Sequence, residues 1–385
     1  MLTKYALKMP LAVYSGEDAL ENMKDILKDN NVRKAAIFSD KTVEQTGLLE
    51  LAAGVVREAG VDSVIINDLP PEPSYEQVQS VADRFKASGA DFIIAVGGGS
   101  VIDSAKLASV VAAGSRTVKD LLDDPKKAHK RVKTLMIPTT AGTGAEATPN
   151  AIVLVPEKEL KVGVVSDAMI ADYVILDARM VRTLPRPIAA ATGIDALAHA
   201  IECFTSKKAN PFSDIFALQA LEMIFGHIEE ACNNPDAIHA KNQMQLASFY
   251  AGVAITASGT TAVHALSYPL GGKYHIAHGV ANSVLLAPVM AFNEPCCKEK
   301  FAQVYDRCVK GGNEKPMEEK SRYILEKMSS IVKALDIPTN LSSLGVPQED
   351  LEDLVSAGMQ VTRLLVNNMR EVTENDAREI YKQLF

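Results

Sequence analysis

Short β-branched runs alternate with helical stretches through the first half of this chain, and that alternation constrains the fold more than any single residue. Strand patterns fall at residues 35–39, 63–66, 92–96, 134–137 and 173–176. Helical patterns lie between them at 42–59, 75–87 and 101–113. Such an order predicts a mostly parallel sheet covered by helices. Residues 151–155 and 161–165, separated by a Pro-Glu-Lys-Glu turn, read as a hairpin.

The texture changes at Leu184-Pro185-Arg186-Pro187. Beyond it strand runs become scarce, and helical periodicity covers 188–205, 211–233, 236–257, 317–335, 348–365 and 373–384. The chain therefore divides into an α/β domain over residues 1–184 and an all-helical domain over 185–385. A length of 385 residues with 47% hydrophobic content supports two cores. A net charge of −8 leaves no basic stripe for nucleic acid. No apolar run has the length of a membrane span, and the first ten residues lack a signal-peptide apolar region. Five scattered cysteines form no disulfide framework, which fits a reduced, cytoplasmic protein. A homo-oligomer is compatible with this sequence.

Asp195, His199, His264 and His278 are the candidate metal ligands. Asp195 and His199 stand four residues apart, so a helix places both on one face. Neutral imidazoles and a carboxylate suit a borderline divalent ion, Fe(II) or Zn(II). The same Asp-x3-His spacing also describes an ordinary contact between successive helical turns.

Gly97, Gly98, Gly99 and Ser100 follow the strand at 92–96 and open a helix. Backbone without Cβ atoms admits a phosphate, and Ser100 is placed to cap the helix whose free N–H groups attract an anion. The pattern is neither the dinucleotide fingerprint, since Ile102 stands where a third glycine belongs, nor a Walker loop. A plain tight turn is the alternative. Asp40 ends the first clear strand and could bind a ribose or cap the next helix. Thr139, Thr140 and Thr143 lie in a glycine-containing loop after another strand, suited to a cofactor or to a simple hydroxyl turn.

Together these segments resemble the iron-containing alcohol dehydrogenases over nearly the whole chain. The resemblance rests on Gly97-Gly-Gly-Ser-Val-Ile-Asp103, Pro138-Thr-Thr-Ala-Gly-Thr-Gly144, the segment from Ala191 to Glu202, His278-Gly-Val-Ala-Asn282 and Asn368-Met-Arg-Glu-Val-Thr373. It implies a dehydroquinate synthase-like fold, with an N-terminal dinucleotide-binding domain, a helical metal-binding domain and an active site between them. It implies metal ligation by Asp195, His199, His264 and His278. It further implies pyrophosphate contacts at Gly97, Gly98, Gly99 and Ser100, and ribose contact at Asp40. Thr139, Thr140 and Thr143 match the family's threonine loop, and Asn150 and Lys161 match residues near the nicotinamide ribose. NAD is expected in preference to NADP, and the substrate is a small alcohol or aldehyde. Two positions depart from the pattern. Many members carry a second His where this chain has Tyr268, and the family's Asn-Pro-Arg reads Asn368-Met369-Arg370, which implies a local structural change.

Hydride transfer requires the alcohol proton to leave, and a Lewis-acidic ion assists by lowering the alcohol pKa. His275, the Tyr268 hydroxyl and the nucleotide ribose are the candidate proton relays. A glycerol-type dehydrogenase, a dehydroquinate synthase-like lyase, a hydroxyacid–oxoacid transhydrogenase and a non-catalytic nucleotide sensor are the alternatives. The lyase needs a pocket crowded with basic groups, and between His264 and His278 the only Lys or Arg is Lys273.

Overall fold

The computed structural model describes residues 4–112, 114–158, 160–312 and 314–385. Its elements run in chain order through β1 (Ala12–Ser15), α1 (Asn22–Asp29), β2 (Lys34–Phe38), α2 (Lys41–Gln45), α3 (Leu48–Glu58) and β3 (Asp62–Ile66). Next come α4 (Tyr75–Ser88), β4 (Phe92–Gly97), α5 (Gly99–Val111), α6 (Val118–Asp123), β5 (Lys133–Pro138), β6 (Asn150–Val155), β7 (Leu160–Val165) and β8 (Tyr173–Leu176). The rest is helical: α7 (Arg186–Thr205), α8 (Pro211–Asn233), α9 (Ile238–Ala257), α10 (Ala262–Tyr274), α11 (His278–Cys308), α12 (Met317–Ala334), α13 (Leu351–Met359), α14 (Thr362–Leu365) and α15 (Glu374–Lys382). Two compact units result, Lys8–Leu184 and Pro185–Phe385, the latter joined by residues 4–7.

In the first unit a six-stranded sheet has the order β1-β8-β5-β4-β2-β3, and every pairing is parallel. β4 is buried along its whole length, as a parallel strand covered on both faces requires. β6 and β7 form the expected antiparallel hairpin, with Asn150 opposite Val165 and Leu154 opposite Lys161. The chain runs outward from β2 to β3 and then returns to β4 on the other side of β2. The carboxyl ends of β2 and β4 therefore flank the point where strand order reverses, the usual ligand crevice of an open α/β sheet.

Three sequence expectations change here. The helix expected over 42–59 is two helices, because Thr46 turns its hydroxyl onto the Val43 carbonyl (2.8 Å) and Gly47 takes a left-handed backbone (φ 79°). The helix expected from 101 begins at Gly99 with Gly98 as its cap, so Ser100 lies inside the first turn; its hydroxyl accepts from the Glu72 N–H (3.3 Å). That helix ends at Val111, and residue 113 lies outside the described residues. The stretch 348–365 breaks into a short 3-10 turn, α13 and α14. β1 escaped the sequence reading because it is four residues long and sits at the sheet edge.

The second unit contains no strand among the described residues. α7 is buried on nearly every face from Gly193 to Thr205, as expected of a helix at the centre of a bundle. α8, α9, α10 and α11 all pack on it. Gly279 makes one of these crossings close: a Cβ there would stand 2.3 Å from the Ala191 carbonyl oxygen. The start of α11 thus presses against α7, which brings His278 to the Asp195 face. Among the described residues no single helix is long and apolar enough to cross a membrane.

Candidate metal centre and cofactor cradle

α7 contributes Asp195 and His199, α10 contributes His264, and α11 begins with His278. One ligand atom from each residue lies within 4.8 Å of all the others. Asp195 Oδ1 is 3.9 Å from His199 Nε2, 3.6 Å from His264 Nε2 and 3.7 Å from His278 Nε2. The His199 and His264 rings stack with centroids 4.5 Å apart. Three of the side chains are almost wholly buried, whereas the His278 side chain is 33% exposed and marks the open side.

The neighbours of these ligands fix their chemistry. Glu202, on the same face of α7, accepts from the Thr261 N–H (3.1 Å), the Thr261 hydroxyl (2.6 Å) and the Val263 N–H (2.8 Å) through Oε1. A carboxylate from another helix thus satisfies the orphan donors at the start of α10. Its Oε2 accepts from His264 Nδ1. An ionised carboxylate only accepts, so Nδ1 carries the proton and Nε2 presents its lone pair to the centre. Burial would lower the His264 pKa, but the Glu202 and Asp195 carboxylates lift it to about 9, so binding of an ion displaces a proton from Nε2. Burial would likewise raise Asp195, and the three imidazoles more than reverse this and hold it well below the carboxylate range.

Asn282, one turn beyond His278, donates from Nδ2 to Asp195 Oδ1 (2.7 Å). The same nitrogen is 3.1 Å from His264 Nε2 and 3.2 Å from His278 Nε2. Three acceptor atoms therefore converge closely enough to share one amide, and this convergence of one carboxylate oxygen with imidazole lone pairs fits a divalent ion. Sequence reasoning gave neither Glu202 nor Asn282 a role. Their helical spacing, three residues after His199 and four after His278, was the available clue.

Tyr268 lies one turn beyond His264, with its ring 6.2 Å from that of His278. Burial raises its phenol pKa, and the Arg363 guanidinium beside it opposes that rise. His275 is exposed and ends α10 in a left-handed conformation (φ 54°). Its ring has no hydrogen-bond or ion-pair partner among the described residues, so the structure does not join it to the cluster. At Asn368-Met369-Arg370, Asn368 exchanges amide hydrogen bonds with Asn293 (2.7 and 2.9 Å), and Arg370 packs over the Phe292 ring at 3.9 Å.

In the α/β unit, the ends of β2, β4 and β5 form one cradle. Ser39 donates to the Val96 carbonyl (2.8 Å), and the Thr139 N–H donates to the Gly97 carbonyl (3.0 Å). Thr143 fills the space beside Gly99, where a Cβ would stand 3.0 Å from its methyl group, and a Cβ on Gly98 would stand 3.5 Å from the Thr140 methyl group. The threonine and glycine loops are therefore one surface. Asp40 lies at the adjacent strand end and caps α2 by accepting from the Val43 N–H (2.9 Å). Asn150 and Lys161 stand toward opposite ends of the hairpin rather than together. Lys161 pairs with Glu72.

Beneath the cradle α5 buries Asp103 and Lys106. Lys106 Nζ donates to the Asn150 carbonyl (2.7 Å), the Thr148 hydroxyl (3.2 Å) and Asp103 Oδ1 (3.3 Å), while Asp103 Oδ2 accepts from the Ile152 N–H (2.9 Å). These bonds pin the hairpin to α5.

An Asp-His-His-His centre in a helical unit, joined in one chain to a parallel α/β unit, is the arrangement of a metal-binding oxidoreductase family. Residues 10–178 match the family model described as iron-containing alcohol dehydrogenase, and residues 189–385 match the Fe-containing alcohol dehydrogenase family, C-terminal. The chain is 34% identical over 381 residues to the long-chain-alcohol dehydrogenase 1 of Geobacillus thermodenitrificans, covering 98% of this chain and 95% of that one. It is 33% identical over 377 residues to the NAD-dependent methanol dehydrogenase of Bacillus methanolicus, covering 97% and 98%. The solved alcohol dehydrogenase from Oenococcus oeni superposes with a TM-score of 0.94 at 26% identity, covering 99% and 100%. The chain belongs to the iron-containing alcohol dehydrogenase family.

Proposed function

We propose that this chain is a metal-dependent alcohol dehydrogenase that moves a hydride between NAD(H) and a small alcohol or aldehyde. The observation that carries the reading is the convergence of Asp195, His199, His264 and His278 within 4.8 Å. Fe(II) is the preferred ion, with Zn(II) chemically compatible with the same donors. The α/β domain (residues 1–184) takes the dinucleotide and the helical domain (185–385) takes the metal. NAD is favoured by Asp40 and by the NAD-dependent relative from Bacillus methanolicus.

When bound, the divalent ion supplies Lewis acidity to the substrate oxygen, and the nicotinamide supplies or accepts the hydride. The protein's own residues do the rest. Glu202 holds the His264 ring in one tautomer, and Asn282 fixes the Asp195 carboxylate by a hydrogen bond. Gly97, Gly98, Gly99 and Ser100 offer a phosphate the free N–H groups at the start of α5. Asp40 accepts from the adenosine ribose, and Thr139, Thr140, Thr143, Asn150 and Lys161 complete the cofactor contacts. Tyr268, whose phenol is raised by burial, keeps its proton at neutral pH and shapes the pocket. The exposed His275 is the remaining side-chain candidate to pass the proton to water.

The test is anaerobic reconstitution with Fe(II) or Zn(II), followed by NAD reduction against short alcohols, diols and hydroxyacids. Metal-dependent turnover with free NAD supports the reading. Hydride exchange between a hydroxyacid and an oxoacid without net NAD turnover would replace it with the transhydrogenase.

A further inference from the structure

Arg363 stands apart from the other cations near the metal-bearing helices. Lys273 on α10 is held by Asp350 and Asp353, and Arg378 on α15 by Glu352. Arg370 is occupied by the Phe292 carbonyl and ring. Arg363, on α14, is exposed and has no carboxylate partner among the described residues. α14 packs on α10, the helix that carries His264 and Tyr268. The guanidinium lies beside the Tyr268 hydroxyl, and the Tyr268 ring faces that of His278, the most exposed of the four ligands. Tyr268 is therefore shared between the Arg363 cation and the open side of the metal centre.

A neutral phenol orients a guanidinium without cancelling its charge. The remaining N–H groups of the planar fork suit a carboxylate, sulfonate or phosphonate, each of which accepts two parallel hydrogen bonds. We propose that Arg363, with Tyr268, forms an anion subsite, so that the preferred substrate is a short alcohol or aldehyde bearing an oxyanion at its far end. This rests on the dehydrogenase reading above and narrows it to a substrate class. The oxygen end of such a substrate meets the ligand cluster, and the anionic end meets Arg363. The two ends together fix which carbon presents its hydrogen to the nicotinamide.

The experiment compares the metal-loaded enzyme on propanol and on three anionic counterparts, hydroxypropionate, hydroxyethanesulfonate and hydroxyethylphosphonate. At least one anionic substrate should exceed propanol in kcat/KM by about 10-fold, and the order among the three identifies the oxyanion. Arg363→Met should lower the anionic-to-neutral ratio by about 10- to 100-fold, the worth of one charge-assisted hydrogen bond. Arg363→Lys should restore part of it. A wild type that prefers propanol to all three, or a ratio unchanged in Arg363→Met, overturns the subsite. Absence of turnover with every alcohol overturns the dehydrogenase reading instead. The subsite is then judged by calorimetric titration with ethanesulfonate, which has no hydroxyl to oxidise. Binding that weakens at least about 10-fold in Arg363→Met upholds it, and equal or absent binding in the two proteins overturns it.

Discussion

Glu202 holds His264 from behind: its Oε2 accepts the Nδ1 proton, while its Oε1 takes three donors from the start of α10. The same carboxylate therefore anchors the helix and orients the ligand it carries. Glu202→Gln retains an oxygen for α10 but weakens the charged partner of His264. Metal affinity should fall about 10- to 100-fold. Competition for the ion with a coloured chelator measures this, and an unchanged affinity would remove Glu202 from the metal account.

Lys106 and Asp103 form a buried pair whose bonds reach the hairpin strand β6. Lys106→Met leaves Asp103 buried without its cation and should cost about 3–5 kcal/mol. Adding Asp103→Asn should recover part of that loss. Urea unfolding of the single and double variants provides the comparison. A cost within about 0.5 kcal/mol, as at an ordinary surface site, would contradict it.

Glu146 is buried in the same unit, and burial pushes its carboxyl up to about 7 from 4.5. Lys106 opposes that rise and Asp103 adds to it. The fold thus favours the protonated acid. Its contribution is complete below the unfolded value of 4.5 and is lost as pH rises through about 7. The shift is worth about 3 kcal/mol. Relative to wild type, Glu146→Gln should gain about that much stability between about pH 4 and pH 8. A stability difference that stays flat across that range would show that Glu146 ionises freely in the folded protein.

Asp40 caps α2 and faces the strand-order reversal. A carboxylate about 5 Å from a nucleotide 2′-phosphate opposes it by about 3 kcal/mol per unit charge at an effective dielectric near 20. Asp40→Gly sacrifices only a few tenths of a kcal/mol of capping, so stability and cofactor choice separate. The NADP-to-NAD ratio of kcat/KM should rise in the variant. Equal use of both cofactors by the wild type would leave Asp40 as a helix cap alone.

Much of this architecture was legible because it follows from local periodicity. The strand at 92–96 announces itself by an apolar run and the helix at 211–233 by its helical periodicity. Asp195 and His199 were readable as a pair because helical spacing puts them on one face. The joining of His264 and His278 to that pair was not a matter of spacing. It depends on the close α7–α11 crossing at Gly279 and on the Glu202 anchor, both long-range contacts. α10 and α11 were missed as elements because they are buried on many faces and carry internal prolines, Pro269, Pro288 and Pro295, which blur the helical pattern. The cap expected at Ser100 falls two residues earlier, at Gly98, because glycine is also an accepted cap and sequence alone does not say where the first helical residue falls. Arg363 had no sequence mark at all, since its importance comes from its position beside Tyr268.

The dehydrogenase reading requires Asp195, His199, His264 and His278 to hold one catalytic divalent ion. Elemental analysis of wild type and Asp195→Ala, paired with NAD reduction on the same samples, tests it most directly. The wild type should carry about one ion per chain, and the variant should lose both the ion and turnover while keeping its circular dichroism spectrum. An Asp195→Ala protein that retains a full complement of metal and undiminished turnover would contradict it.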